Sequence, residues 1–155
     1  MAIVSFRAAT AITAGQPVTV GSGGTIYPSS ATNLTNAKCV GLAIDTGDSG
    51  RLIRVNKDYL FNNLSGLTPG NINYLGLTSG VINPSYATLI AEVQNSSFAS
   101  NFCLVSLGTA VSASGLNIEI ARPVSTSLSV LLLEGLFSTG ALFTENGATM
   151  DLEGT

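Results

Sequence analysis

Short apolar or alternating runs, each stopped within a few residues by Gly, Pro, Asn or Ser, fill this sequence from end to end. That spacing leaves little room for helices and suits strands, whose side chains alternate between two faces. The runs predict strands at residues 3–8, 17–20, 25–27, 39–44, 51–56, 73–77, 81–82, 88–93, 102–107, 116–120, 127–133 and 141–143. Turn-forming clusters fall between them: Gly21-Ser-Gly-Gly, Gly47-Asp-Ser-Gly, Pro69-Gly-Asn and Ser79-Gly. Many short strands at close spacing predict an all-β fold of small barrel or sandwich units. Residues 95–101 read as a short turn. Residues 128–137 fit a strand or a helix, and the Ser/Val alternation of 125–130 favours the strand.

Charge narrows the setting. Asp, Glu, Lys and Arg make up 10% of the 155 residues, mean hydropathy is +0.43 and net charge is −3. Ordinary soluble domains carry about 25% charged residues. A chain so poor in charge is expected to hide much of its surface against other chains. The longest apolar run, residues 128–137, is interrupted by Ser129, Glu134 and Gly135 and is too short for a membrane helix. The six basic residues are scattered, and Asp45, Asp48 and Asp58 flank the local group Arg51, Arg54 and Lys57, so nucleic acid is not an expected partner. The opening segment lacks the basic-then-apolar order of a signal peptide. Cys39 and Cys103 are therefore expected to be free thiols, and the sequons at Asn33, Asn63 and Asn95 to be chance matches.

The chain also echoes itself. Ala14-Gly-Gln-Pro-Val-Thr-Val, Gly24-Thr-Ile-Tyr-Pro and Ala31-Thr answer to Thr68-Pro-Gly-Asn-Ile-Asn-Tyr-Leu, Gly80-Val-Ile-Asn-Pro and Ala87-Thr. Gly15 matches Gly70 and Gly24 matches Gly80, each glycine supplying a turn. An apolar strand is expected after each copy, residues 39–44 and 89–93. Residues 1–94 then form a β-domain with two related turn-strand units, about 11–44 and 66–94. Residues 95–155 form a β-rich C-terminal part, packed on the first and at an oligomer interface.

The segment from Ile12 to Val55, with its Ala-Gly-Gln-Pro-Val turn and its Gly41-Leu-Ala-Ile strand, resembles small bacteriophage capsid cement or decoration proteins. The second copy, Leu67-Thr-Pro-Gly-Asn-Ile-Asn-Tyr-Leu-Gly with Ser79-Gly-Val-Ile, resembles a β-module of phage tail fibres. The resemblance covers about residues 10–94. It implies a structural, non-enzymatic subunit on the capsid exterior, made in the host cytoplasm. The implied partners are the major capsid protein and further copies of the chain, in a trimer or else a dimer. A tail or fibre component is the neighbouring alternative. For the oligomer contact, the expectation is that residues 128–143 lie buried between subunits, since Glu134 is the only charge in 124–144.

Catalytic chemistry has few footholds. The chain has no His, which removes the commonest general base and metal ligand. Asp45-Thr46-Gly47 follows an apolar strand as an aspartic-protease signature does, and a dimer could pair two such carboxylates. Asp48 beside it and the lack of a second matching segment favour a polar hairpin turn instead. The same loop lacks the ligand pattern of an EF-hand. Gly21-Ser-Gly-Gly lacks the Lys-Ser/Thr of a phosphate loop. Tyr27, Tyr59, Tyr74 and Tyr86 read as half-buried strand residues rather than a ligand-binding set. No catalytic residue, metal site or cofactor is expected.

Overall fold

The structure is a computed structural model and describes residues 2–132. The protein is all-β, and among the described residues one helix lies between strands. The first sheet contains β1 (Ile3–Arg7), β2 (Pro17–Val20), β3 (Ile26–Pro28), β4 (Cys39–Ala43) and β5 (Leu52–Asn56), in the order β1-β5-β4-β2-β3. The second contains β6 (Tyr59–Phe61), β7 (Ile72–Leu75), β8 (Ile82–Asn83), β10 (Ser106–Ala110) and β11 (Leu116–Ile118), in the order β6-β11-β10-β7-β8. Helix α1 (Tyr86–Gln94) and strand β9 (Phe102–Leu104) lie in the chain between β8 and β10, and β9 pairs with β12 (Val124–Thr126).

The two sheets are one plan built twice. Replacing β1, β2, β3, β4 and β5 by β6, β7, β8, β10 and β11 converts one strand order into the other, and every named pairing is antiparallel. Hydrogen bonds repeat with it. Gly15 N–H donates to Ala43 O at 2.8 Å, and Gly70 N–H to Ala110 O at 2.8 Å. Ala43 N–H donates to Gln16 O and Ala110 N–H to Asn71 O, each at 2.9 Å. Gly24 (φ +77°) and Gly80 (φ +76°) occupy the same place in the β2–β3 and β7–β8 hairpins, where positive φ excludes most side chains.

The register shifts at the same point in each third strand. Thr19 faces Cys39 while Val18 faces Gly41; Tyr74 faces Ser106 while Asn73 faces Gly108. Each bulge is therefore one residue, Val40 or Leu107, without a partner across the pair. Gly41 and Gly108 follow it, and both are fixed by close approach. A Cβ on Gly41 would lie 2.4 Å from Asn56 O, and one on Gly108 2.0 Å from Asn117 O. The acceptors match as well, since Asn56 pairs with Leu42 and Asn117 with Thr109.

Packing separates the units. Alternation in β5 turns Ile53 and Val55 into a small core with Ala8, Ile12, Val18, Ile26 and Ala43. Just beyond β1, Ala8 makes a parallel bridge to Ile26 of β3, so the outer strands of the first sheet meet at one end. The second unit has a larger core under α1, including Leu75, Leu89, Val93, Phe102, Leu107 and Leu116. Ala31, Ala37 and Leu42 of the first unit belong to that larger core. Backbone hydrogen bonds from Ala31 N–H to Gly76 O and from Cys103 N–H to Ala31 O, both 2.8 Å, fasten the β3–β4 loop to the second unit.

Three strand expectations need correction. Residues 88–93 lie in α1: Ser85 and Thr88 cap its first turn reciprocally, and Leu89 and Val93, one turn apart, bury the same stripe. The apolar strand following the second copy is thus β10. The expected strand at 127–133 is helical over 128–132, with Leu131 buried and Val130 and Leu132 exposed. Residues 102–107 split into β9 and the start of β10, because β9 turns to pair with β12. Strands β6 and β12 carried no expectation. The expected strand at 141–143, and residues 133–143 of the expected interface, lie outside the described residues.

Candidate functional site

The loop carrying Asp45-Thr46-Gly47 joins β4 to β5. Asp45 stands just past β4 and faces Arg54 on β5. Its carboxylate accepts from Arg54 Nη2 at 2.7 Å, from Nε at 3.0 Å and from the Arg54 backbone N–H at 2.9 Å. These bonds satisfy the anion and hold the Asp45 carboxyl down at about 2, well below the usual carboxylate range. Acid–base hydrolysis by an aspartate pair needs two carboxylates sharing one proton. Asp45 shares its charge with a guanidinium, and Thr46 accepts from Ala14 N–H through its hydroxyl at 3.0 Å. Both residues act as pins, Asp45 to strand β5 and Thr46 to the loop before β2. Among the described residues no group of three or more His, Cys, Asp or Glu comes together.

Both cysteines are free thiols, as expected. Burial pushes Cys39 up to about 11, and burial raises Cys103 as well, so both stay protonated and poorly nucleophilic at neutral pH. The four tyrosines do not gather. Tyr74 and Tyr86 meet edge-to-face with ring centres 5.8 Å apart, and the Tyr86 hydroxyl donates to Leu131 O at 3.2 Å. Tyr27 donates to Asn36 Oδ1 from the first sheet, and Tyr59 begins β6. Tyr59 is exposed and has φ +73°, a costly conformation for an aromatic residue, at the turn that carries the chain from one sheet to the other.

What the surface offers is a strand. Among the described residues β1 lies at the edge of its sheet and pairs with β5, and its other row of backbone groups has no neighbouring strand until the chain meets β3 at the Ala8–Ile26 bridge. Ile3 is 47% exposed and Val4 38% exposed, on opposite faces of the strand, and Leu52 beside Arg7 on β5 is 57% exposed. Natural sheet edges are commonly blunted by Lys, Pro or a bulge. β1 has none of these over Ile-Val-Ser-Phe-Arg. Its exposure follows from its place at the edge, which the repeat did not reveal because the matched segments begin at Ala14. No helix among the described residues is long and apolar enough to cross a membrane.

No protein-family model matches this chain, and no curated protein matches it.

Proposed function

We propose that this protein is a structural, non-enzymatic subunit of a bacteriophage virion, a cement subunit that bridges major capsid proteins on the outside of the head. The observation that carries the reading is the β1 edge, open among the described residues and with Ile3 and Val4 partly exposed on opposite faces, in a chain with only 10% charged residues. An edge of this kind joins other chains by adding strands, the main chain giving affinity and alternate side chains giving fit. Val130 and Leu132 add apolar surface on the helical residues 128–132. A subunit that binds the assembled shell and not free capsid protein stabilises the shell by mass action, and needs no reacting group. The chain assembles as a homotrimer.

Purified virions test this directly. A copy number near that of the major capsid protein is expected, and a few copies per particle would place the chain in the tail. Light scattering of the isolated protein should give three times the mass of one chain, and I3K/V4K should lose binding to capsids while keeping its fold. Full capsid binding by I3K/V4K would rule out the β1 edge as the contact.

A further inference from the structure

The chain contains only two lysines, and both face the same cleft. Lys38 enters it from the start of β4, Lys57 from the turn after β5, and Arg122 from the segment between β11 and β12. The space is about 410 Å3 and is walled by apolar groups, among them Val40, Ile120 and Pro123. No carboxylate lines it, and none of the three cations has an ion-pair partner among the described residues. Half of the six basic residues thus converge where the first sheet meets the crossover from the second, with no neutralising carboxylate among the described residues.

The missing anions lie elsewhere in the sequence. Residues 2–132 hold all six Lys and Arg with five carboxylates, whereas residues 133–155 hold Glu134, Glu145, Asp151 and Glu153 and no basic residue. Within that stretch, Met150-Asp151-Leu152-Glu153 places two carboxylates and two apolar side chains in four consecutive positions. That mixture complements a cationic rim above an apolar wall. Reach is sufficient: the 13 residues from Leu132 to Glu145 extend up to about 40 Å. A domain of this size has a radius of gyration of about 14 Å.

We propose that the cleft formed by Lys38, Lys57 and Arg122 is the docking site for the chain's own acidic segment, residues 145–153. Tethering presents the segment at an effective concentration in about the millimolar range, so individually weak pairs suffice. The charges on the rim are exposed, so salt weakens the contact, the screening length falling from about 10 Å at 0.1 M to about 3 Å at 1 M.

Zero-length carbodiimide cross-linking of the full chain reads this out, because it joins only lysine or the terminal amine to a carboxylate already in contact. An equal mixture of unlabelled and 15N-labelled protein is cross-linked and the joined peptides are mapped by mass spectrometry. Links from Lys38 or Lys57 to Glu145, Asp151 or Glu153, within one isotope class, are expected. Their yield should fall at least fivefold in 0.8 M NaCl, and similarly in R122Q, which removes a cation the reagent cannot itself join. Links confined to residues 2–132 overturn the proposal. Links predominantly between isotope classes overturn it in favour of docking on a second copy. A yield indifferent to both salt and R122Q shows mere proximity and overturns it too.

Discussion

The two β-units share a strand order, a bulge and a set of turn glycines, yet solve the problem of burial differently. The first joins β3 to β4 by a loop and holds a small core of aliphatic and alanine side chains, with its outer strands meeting at Ala8 and Ile26. The second inserts α1 and β9 at the corresponding point and builds a core with aromatic residues, Phe61 and Phe102, under the helix. Backbone requirements are what both units keep: positive φ at Gly24 and Gly80, and room for a carbonyl at Gly41 and Gly108. Side-chain requirements are what they change. Val18 and Asn73 hold equivalent positions, both fully buried, one apolar and one polar. Topology here is specified by the places where a side chain cannot be, and the core is filled afterwards.

The sharpest break of that parallel is at the paired glycines. Gly108→Ala should prevent folding or cost about 4 kcal/mol or more, since the added carbon lands 2.0 Å from Asn117 O at a residue whose φ is +144°. Gly41→Ala meets the same carbonyl position at 2.4 Å without the positive φ and should cost about 2–3 kcal/mol. Urea melts of both variants decide this; equal and small losses would show that the shared bulge is not a shared constraint.

Next comes the helix that only the second unit has. Glu92 on α1 accepts from Leu77 N–H at 2.9 Å and from Asn83 Nδ2 at 2.8 Å, tying the helix to the β7–β8 hairpin. Glu92→Ala should destabilise by about 2 kcal/mol, the value of hydrogen bonds to a charged group. Amide exchange should then speed up at Leu77 and Thr78, with the Gly21–Thr25 turn of the first unit unchanged.

Asn73→Val, which copies Val18, should go the other way. Asn73 Oδ1 is buried without a hydrogen-bond partner among the described residues. Its Nδ2 donates at 3.2 Å to Asn71 O, which keeps a second donor in Ala110 N–H. Removing the orphan should raise stability by roughly 1 kcal/mol, seen as a higher urea midpoint with an unchanged slope. A loss of stability would show that the two cores are not interchangeable at this position.

The smallest effect is expected at Asp45, whose Arg54 partner has no counterpart described in the second unit. Because its folded-state pKa is lowered to about 2, its stabilisation is present above the ordinary carboxylate range and disappears as pH falls through about 2. Asp45→Asn should leave stability at pH 7 nearly unchanged, as expected for an exposed pair, and should flatten the acid limb of the pH profile. Acid-dependent peptide cleavage that vanishes in this variant would instead make Asp45 a catalytic group.

Much of this fold was legible because its constraints are local. Gly15, Gly24, Gly70 and Gly80 announced the duplicated hairpins, and alternation located β2, β4 and β5 within a residue or two. The helix was not legible in the same way. Thr88 stands where a capping box usually has Glu or Gln, and the β-branched residues of Thr-Leu-Ile-Ala-Glu-Val favour strands in isolation. The third strand of the second copy was displaced by that insertion to residue 106. Of the candidate sites, the Asp45 turn was readable from adjacent residues. The cleft of Lys38, Lys57 and Arg122 was not, since only the long-range packing brings residues 38 and 122 together.

A chain that contains two versions of one fold also faces a hazard in its own assembly. While still incomplete, β4 and β10 are competitors: each is a bulged third strand with a glycine, able to seek either β2 or β7. Strand exchange of this kind is a characteristic failure of proteins with related repeats. Here the exchanged products are penalised. In β4's place, β10 would bring the Thr109 hydroxyl into the position of Leu42, which is 1% exposed and belongs to the larger core. In β10's place, β4 would leave Leu42 at a half-buried position. The unlike side chains of the two units thus act as a sorting rule, steering each strand to its own sheet although the backbone geometry would accept either.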